Sequence, residues 1–147
     1  MNICVFCSAN DVDKKYVTPA KELAEALGER GDTLLWGGSN VGLMKVVADG
    51  VQEKGGRLVG VTMELFKEFA RPTADEMIVV KTLAERKARL LERTDAIIVL
   101  AGGLGTFDEF TEVIELKRHG NHDAEIFVLN TDNFYEGLKN AAAAYAG

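Results

Sequence analysis

The chain reads A-I-I-V-L-A-G-G-L-G-T over residues 96–106, a β-branched run that leads directly into a glycine-rich turn. Residues 33–42 repeat this arrangement as T-L-L-W-G-G-S-N-V-G. Both runs are short and continuously apolar, which is typical of strands in a parallel sheet that is buried on both faces. Because an amphipathic stretch follows each turn, the pattern predicts a strand, a tight corner and a helix in succession.

Apolar runs and amphipathic stretches alternate along the rest of the chain. The predicted strands are 3–7, 33–36, 57–61, 77–80, 96–100 and 126–129, and the predicted helices are 15–30, 42–54, 83–93, 107–118 and 133–145. This alternation predicts an α/β fold of the doubly wound, Rossmann-like type, with a mainly parallel sheet and helices on both faces. The length of 147 residues and the lack of a linker-like segment predict one domain over residues 1–147.

Composition and charge exclude several classes of protein. Lys and Arg number 17 against 23 Asp and Glu, for a net charge of −6, which disfavours a broad nucleic-acid surface. The longest apolar run, 96–105, is shorter than the about 20 residues of a membrane-spanning helix. The amino terminus lacks the basic and apolar segments of a signal peptide. We therefore expect a cytoplasmic protein that binds neither nucleic acid nor membranes.

Two pairs of potential metal ligands are expected to have no such function. Cys4 and Cys7 have C-x-x-C spacing but lie in a predicted strand, where residues three apart face opposite sides of the sheet. We expect buried free thiols, as in a reducing compartment. His119 and His122 lie in a predicted loop with no cluster of further ligands nearby, so no metal site is predicted.

The two glycine-rich turns, 37–42 and 101–106, are predicted to bind phosphate. Glycine lets the backbone N–H groups approach an anion, and the amino end of a helix adds a partial positive charge. Both turns follow strands at the edge where open α/β sheets hold ligands. Neither turn matches the P-loop or the full G-x-G-x-x-G pattern. The alternative is that the glycines only permit tight corners.

The pair Thr106 and Glu109 has two interpretations. T-x-x-E is the pattern of a capping box, in which Glu109 would accept a hydrogen bond from the backbone N–H of Thr106. The second interpretation is a catalytic carboxylate beside the bound phosphate. Phe107, Phe110 and Ile114 predict a buried stripe that leaves Glu109 on the other side of the helix, close to the phosphate.

The predicted helix 83–93 supplies candidate cationic groups. Residues 81–93 hold five basic and two acidic side chains in an otherwise acidic chain. Arg86, Arg89 and Arg93 are spaced to form one stripe, for which a solvated face is the alternative interpretation. Arg86 and Lys87 lie nearest the strand edge and are candidates for contacting an anion. Lys87 could instead extend along apolar surface to reach water.

Three motifs together resemble the LOG (Lonely guy) family of cytokinin riboside 5′-monophosphate phosphoribohydrolases. They are G-G-S-N-V-G-L-M at 37–44, E-R-K at 85–87 and G-G-L-G-T-F-D-E at 102–109. Many members have been labelled lysine decarboxylases. The chain departs from the family pattern with Ala101 in place of proline, Ser39 and Lys45 in place of glycines, and Leu83 in place of methionine.

The resemblance implies an enzyme that hydrolyses the N-glycosidic bond of an adenosine-type nucleoside 5′-monophosphate. The products are the free base and ribose 5-phosphate, no cofactor is implied, and the enzyme is expected to be a homodimer. Arg86 and Glu109 match the family's catalytic pair. The other candidate residues bind substrate: Gly38, Gly42, Met44, Lys87, Gly102, Gly103, Gly105, Thr106 and Glu112. The alternative function is a non-catalytic binding or carrier protein for a nucleotide or phosphorylated cofactor.

Overall fold

Within residues 1–145, six parallel strands form one sheet, and five α-helices connect and cover them. The strands are β1 (Asn2–Phe6), β2 (Thr33–Trp36), β3 (Arg57–Met63), β4 (Glu76–Val80), β5 (Ala96–Val99) and β6 (Glu125–Val128). The helices are α1 (Lys14–Glu29), α2 (Gly42–Glu53), α3 (Leu83–Glu92), α4 (Leu104–Arg118) and α5 (Glu136–Tyr145). This computed structural model describes residues 1–145.

The sheet has the strand order β4-β3-β2-β1-β5-β6, and every neighbouring pair is parallel. The chain builds outward from β1 to β4 and then returns to place β5 beside β1. In open α/β sheets, ligands bind outside the carboxyl ends of the strands where the order reverses in this way. The turns after β1 and β5 therefore border the expected site, and the Ser8 N–H joins them by donating to the Ala101 carbonyl at 3.1 Å.

Each face of the sheet has its own apolar core, as the predicted double winding requires. One core packs β1 and β2 against α1 and α2, with Trp36, Leu43 and Val47 among its members. The other core includes Leu90 of α3 and Phe110 of α4. Cys7 belongs to the first core and Cys4 to the second, and both thiols are free and buried, so the alternation predicted for this strand is confirmed.

The element types were predicted correctly, and the largest differences lie at helix starts. Helix α4 begins at Leu104, three residues before the predicted start, because Gly103 is its N-cap. Helix α5 begins at Glu136 instead of residue 133, since Asp132 and Asn133 have positive φ angles of 53° and 56° that a helix cannot continue through. A 3₁₀ helix at Glu64–Phe69 lies between β3 and β4, where no element was predicted.

The described helices also bear on the membrane question. Within residues 1–145, no helix is both long enough and apolar enough to cross a bilayer.

Candidate active site

A cavity of about 660 Å³ opens at the carboxyl edge of the sheet. The turn after β1 contributes Asn10 to its lining, the turn after β2 contributes Asn40, and the 3₁₀ helix contributes Phe66 and Phe69. The side chain of Arg86 from α3 also lines the cavity. Segments that are far apart in the sequence therefore meet at one edge, beside the reversal of strand order.

The first glycine-rich turn, 37–42, packs against the protein itself. The amides of Leu43 and Met44, in the first turn of α2, donate to the carbonyls of Asn10 and Ser8 at 3.3 and 3.1 Å. Gly42 has a φ of +58°, and a Cβ atom there would lie 2.5 Å from the backbone of Ala9. These two amides of α2 therefore already have partners, and phosphate binding by the turn itself stays a prediction.

The remaining candidates from the first turn have different positions. Gly42 and Met44 line the cavity. Gly38 has a φ of +80°, and a Cβ atom there would lie 2.8 Å from the Met77 sulfur. Gly38 thus permits close packing of the turn against β4.

The second glycine-rich turn, 101–106, is open. A Cβ atom added to Gly103 or Gly105 would meet no described residue within 4 Å, whereas one on Gly102 would collide with the Thr106 side chain. Among residues 1–145, no side chain caps the amino end of α4. The first amides of a helix have no partner within the helix, so these N–H groups and the positive end of the helix are available to an anion.

Glu109 lies in the second turn of α4, on the buried side. With Gly103 as the N-cap, Thr106 is already inside the helix, and the capping box does not form. The predicted buried stripe is confirmed for Phe110 and for Phe107, which packs against the core, but not for Ile114, which is 38% exposed. Glu109, predicted on the other side of the helix, is only 9% exposed. Glu109 shares the buried face with Phe110 and Val113. Glu109 is therefore buried in the same helix whose amino end carries the open glycine turn.

The environment of Glu109 changes its acidity. Burial raises the pKa of Glu109 from 4.5 to about 7, against the opposing effect of the Arg86 guanidinium. The neighbouring carboxylates Asp108 and Glu112 raise this pKa further, and Lys87 lowers it. A carboxyl group that titrates near neutral pH is suited to proton transfer and to stabilising positive charge.

Arg86 is fixed by two backbone carbonyls at the sheet edge. Its Nε donates to the Val61 carbonyl at 2.8 Å, and its Nη2 donates to the Gly37 carbonyl at 2.6 Å. A guanidinium has five N–H groups, so Nη1 and one hydrogen of Nη2 can still serve a ligand. Burial lowers the pKa of Arg86, but a guanidinium stays protonated in proteins.

The other two arginines of the predicted stripe lie apart from Arg86. Arg89 pairs with Glu92 at 3.5 Å, and Arg93 pairs with Glu76 at 3.0 Å, on exposed surface. The solvated-face interpretation is therefore confirmed for these two residues.

Lys87 connects the two helices that carry Arg86 and Glu109. Its Nζ lies 2.9 Å from Asp108 Oδ2 and 2.8 Å from Glu112 Oε2, both on α4. These contacts raise the pKa of Lys87, with the Glu112 hydrogen bond as the main cause. In this structure Lys87 and Glu112 thus contact each other, and their predicted contact with substrate stays a prediction.

Reasoning from the sequence missed the residues on the far wall of the cavity. Asn10, Asn40, Phe66 and Phe69 line it. Phe66 and Phe69 lie in a segment with neither helical nor strand periodicity. The available signal was the presence of two aromatic residues three positions apart in a segment that was not predicted to be a helix or a strand. Within residues 1–145, no group of three His, Cys, Asp or Glu side chains is placed to hold a metal ion.

Comparison with known proteins assigns the chain to a family. The family described as "Possible lysine decarboxylase" matches residues 44–145, which include α3 and the open glycine turn. The cytokinin riboside 5′-monophosphate phosphoribohydrolase of Mycobacterium tuberculosis is 37% identical over 139 residues, covering 93% of this chain and 74% of that protein. The chain belongs to the LOG family.

Other LOG-family relatives are longer than this chain. LOG2 of Arabidopsis thaliana, also a cytokinin riboside 5′-monophosphate phosphoribohydrolase, is 37% identical over 139 residues. These residues cover 92% of this chain and 65% of LOG2, so the chain spans about two thirds of that relative.

A solved structure shares the LOG-family fold. The molybdenum cofactor carrier protein of Chlamydomonas reinhardtii has a TM-score of 0.77 and 23% identity, covering 99% of this chain and 85% of that one. At this identity the similarity shows the fold alone.

Proposed function

We propose that this chain hydrolyses the N-glycosidic bond of a nucleoside 5′-monophosphate with an adenine-type base. Its LOG-family relatives named above carry this activity in their names. The observation that carries the proposal is the position of Glu109, buried in α4 one turn beyond glycines that leave the helix amides open. A phosphate on those amides has its ribose about one helical turn away, beside this carboxyl group.

The proposed reaction needs a stabilised sugar cation and a leaving base. The C1′–N bond breaks with its electrons on the base nitrogen, water supplies a hydroxyl group to C1′, and the remaining proton goes to the base. Ionised Glu109 stabilises the positive charge on the sugar and orients the water. Arg86 balances negative charge on the phosphate or on the departing base through its N–H groups that the carbonyls leave free.

In this proposal the phosphate is bound by the second glycine-rich turn, through Gly102, Gly103, Gly105 and Thr106. Lys87 and Glu112 lie close enough to Glu109 to influence its pKa. We assign Glu112 to the ribose hydroxyl groups, with Lys87 holding the carboxylate in place at 2.8 Å. Gly42 and Met44 belong to the base side, because they line the cavity beyond Arg86.

A pyridoxal-phosphate decarboxylase is the function that the family description suggests, and the site does not favour it. Schiff-base chemistry needs a neutral lysine amine. Lys87, which lies beside Glu109 and Arg86 in the site, is held between two carboxylates that raise its pKa and keep it charged.

The test is a panel of nucleoside 5′-monophosphates, plain and N6-modified, with free base and ribose 5-phosphate as the measured products. Glu109→Gln should abolish turnover while nucleotide binding persists. A carrier protein is the alternative: it would bind a monophosphate tightly, cleave none of the panel, and have no turnover for the substitution to remove.

We also propose that two copies associate near the site. Leu104 is 87% exposed beside the open glycine turn, and Leu65 and Leu83 are exposed on other segments that follow the carboxyl ends of strands. Large exposed apolar side chains at one edge are typical of an interaction surface. Light scattering should give the mass of a dimer, and Leu104→Lys should shift it toward the monomer.

We further propose a cytoplasmic location. Cys4 and Cys7 are free and buried, which suits a reducing compartment. Fractionation of cells that produce the chain should place it with cytoplasmic markers.

A further inference from the structure

Arg71 lies behind the cavity wall and joins separate parts of the chain. Its side chain is 9% exposed. Nη1 donates to Asn40 Oδ1 at 3.0 Å and to Asp49 Oδ1 at 2.6 Å, and Nη2 donates to Gln52 Oε1 at 2.7 Å. One guanidinium therefore binds the turn after β2 and two successive turns of α2.

The backbone around Arg71 continues this connection. The Arg71 N–H donates to the Gly38 carbonyl at 2.8 Å, and the Asn40 N–H donates to the Phe69 carbonyl at 2.7 Å. The end of the 3₁₀ helix and the residues after it are thus attached to the turn on both sides of Ser39. Because Arg71 holds the side chain of Asn40 as well, the turn and the segment form one unit.

This unit carries the aromatic wall of the cavity. Phe66 and Phe69 are 39% and 46% exposed, and both face the cavity that Arg86 borders. The strand order places β1 between β5 and β2, so a nucleotide with its phosphate on the turn after β5 would bring its base to this cavity if it extended toward β2. The partly exposed rings are then on the base side of the ligand, where they offer flat apolar contact.

We propose that Arg71 is a positioning residue for the base: it holds Asn40 and Phe69 in the arrangement that the base requires. This inference rests on the proposed function. Within the described residues, the hydrogen bonds of its side chain go to the turn after β2, to α2 and to Thr73, and none goes to α4. Arg71 therefore influences the base end of the site and not the phosphate turn or Glu109.

Removing the Arg71 guanidinium should leave the fold intact, because its partners on α2 keep other partners. Asp49 also pairs with Lys45, Nζ to Oδ2 at 2.6 Å, so its carboxylate keeps a partner. Gln52 keeps Thr73, whose carbonyl accepts from its Nε2 at 2.7 Å. Arg71→Met, which is similar in length and has no donors, should fold, and Arg71→Lys retains one charged donor group.

The test compares a ligand that has a base with one that lacks it. For Arg71→Met, we expect the KM for AMP to rise about tenfold with kcat within about twofold, because binding is lost equally from ground and transition states. The inhibition constant of ribose 5-phosphate should stay within about twofold, and Arg71→Lys should be intermediate. Arg118→Met, at an exposed arginine on the last turn of α4, is the control and should change neither constant.

Equal losses of affinity for AMP and ribose 5-phosphate would overturn the proposal, as would an unchanged KM. If the wild-type chain binds AMP without cleaving it, the proposed hydrolase activity fails on its own. Calorimetric dissociation constants for AMP and ribose 5-phosphate then decide the role of Arg71 by the same comparison.

Hydrogen exchange of the ligand-free protein gives a second measurement. In Arg71→Met, the amides of Asn40 and Arg71 should exchange faster, whereas peptides covering 104–110 should be unchanged. Unchanged exchange at residues 38–41 and 66–71 would show that Arg71 does not hold this wall.

Discussion

Burying Glu109 should make the protein less stable as the pH rises, and Glu109→Gln should remove that dependence. The unfolded chain releases the Glu109 proton near its ordinary pKa of 4.5, whereas the folded chain holds it up to about 7. Between these values the folded state binds more protons than the unfolded state. The contribution of Glu109 to the unfolding free energy is therefore complete below the pKa that Glu109 has in the unfolded chain. It is lost as the pH rises through the pKa that Glu109 has in the folded chain.

The magnitude follows from the two pKa values. At about 1.4 kcal/mol per pKa unit, the whole difference corresponds to a loss of about 3 kcal/mol, most of which falls between pH 5 and pH 8. Gln has nearly the same shape as Glu but no charge to bury. The stability of Glu109→Gln relative to wild type should thus increase by about 2–3 kcal/mol from pH 5 to pH 8.

The assay is urea unfolding of both proteins at several pH values, with the difference in unfolding free energy as the readout. Glu53→Gln, which removes a carboxylate on the exposed side of α2, is the matched control and should run parallel to wild type. Parallel curves for wild type and Glu109→Gln would refute the reasoning, since they would mean that Glu109 has the same pKa folded and unfolded. A gain in stability at pH 8 together with lost turnover would show that the buried charge is kept for catalysis.

Four further predictions concern the rest of the site and the core. Lys87→Met removes a cation that lowers the pKa of Glu109, so the acidic limb of the kcat/KM profile should move to higher pH; an unmoved limb contradicts this role. Gly103→Val adds a side chain where, among the described residues, a Cβ meets nothing, so it should cost no more than the about 1 kcal/mol of a poor N-cap but weaken ribose 5-phosphate binding at least about tenfold. Gly42 has a φ of +58°, and a Cβ there would collide with the Ala9 backbone, so Gly42→Ala should lower the unfolding free energy by about 1–3 kcal/mol. Equal stabilities of Gly103→Val and Gly42→Ala would contradict the difference expected between the two turns. Burial raises the pKa of both the Cys4 and the Cys7 thiol, so neither should react with a thiol reagent until the protein unfolds; fast labelling of the native protein would exclude the buried arrangement.

The order and type of the main elements could be read from the sequence because their causes are local. The continuous apolar run of β5 and the glycines after it predict a buried strand and a corner wherever they occur. The alternation of side chains along β1 likewise separates Cys4 from Cys7 without any knowledge of the neighbouring strands. The motifs at 85–87 and 102–109 indicated the family for the same reason, since each is a contiguous segment.

The chemistry of the site depends on contacts between residues that are far apart in the sequence. The local pattern of side chains does not predict these contacts. Gly103 caps α4 without a side-chain signal, so neither the start of the helix nor the burial of Glu109 could be predicted. Arg86 differs from Arg89 because it reaches carbonyls 25 and 49 residues away, and Arg71 reaches Asn40 across 31 residues. The periodicity of apolar residues indicates which face of a segment is buried. The pKa of a carboxyl group and the partners of a guanidinium depend instead on which other segments fold against that face.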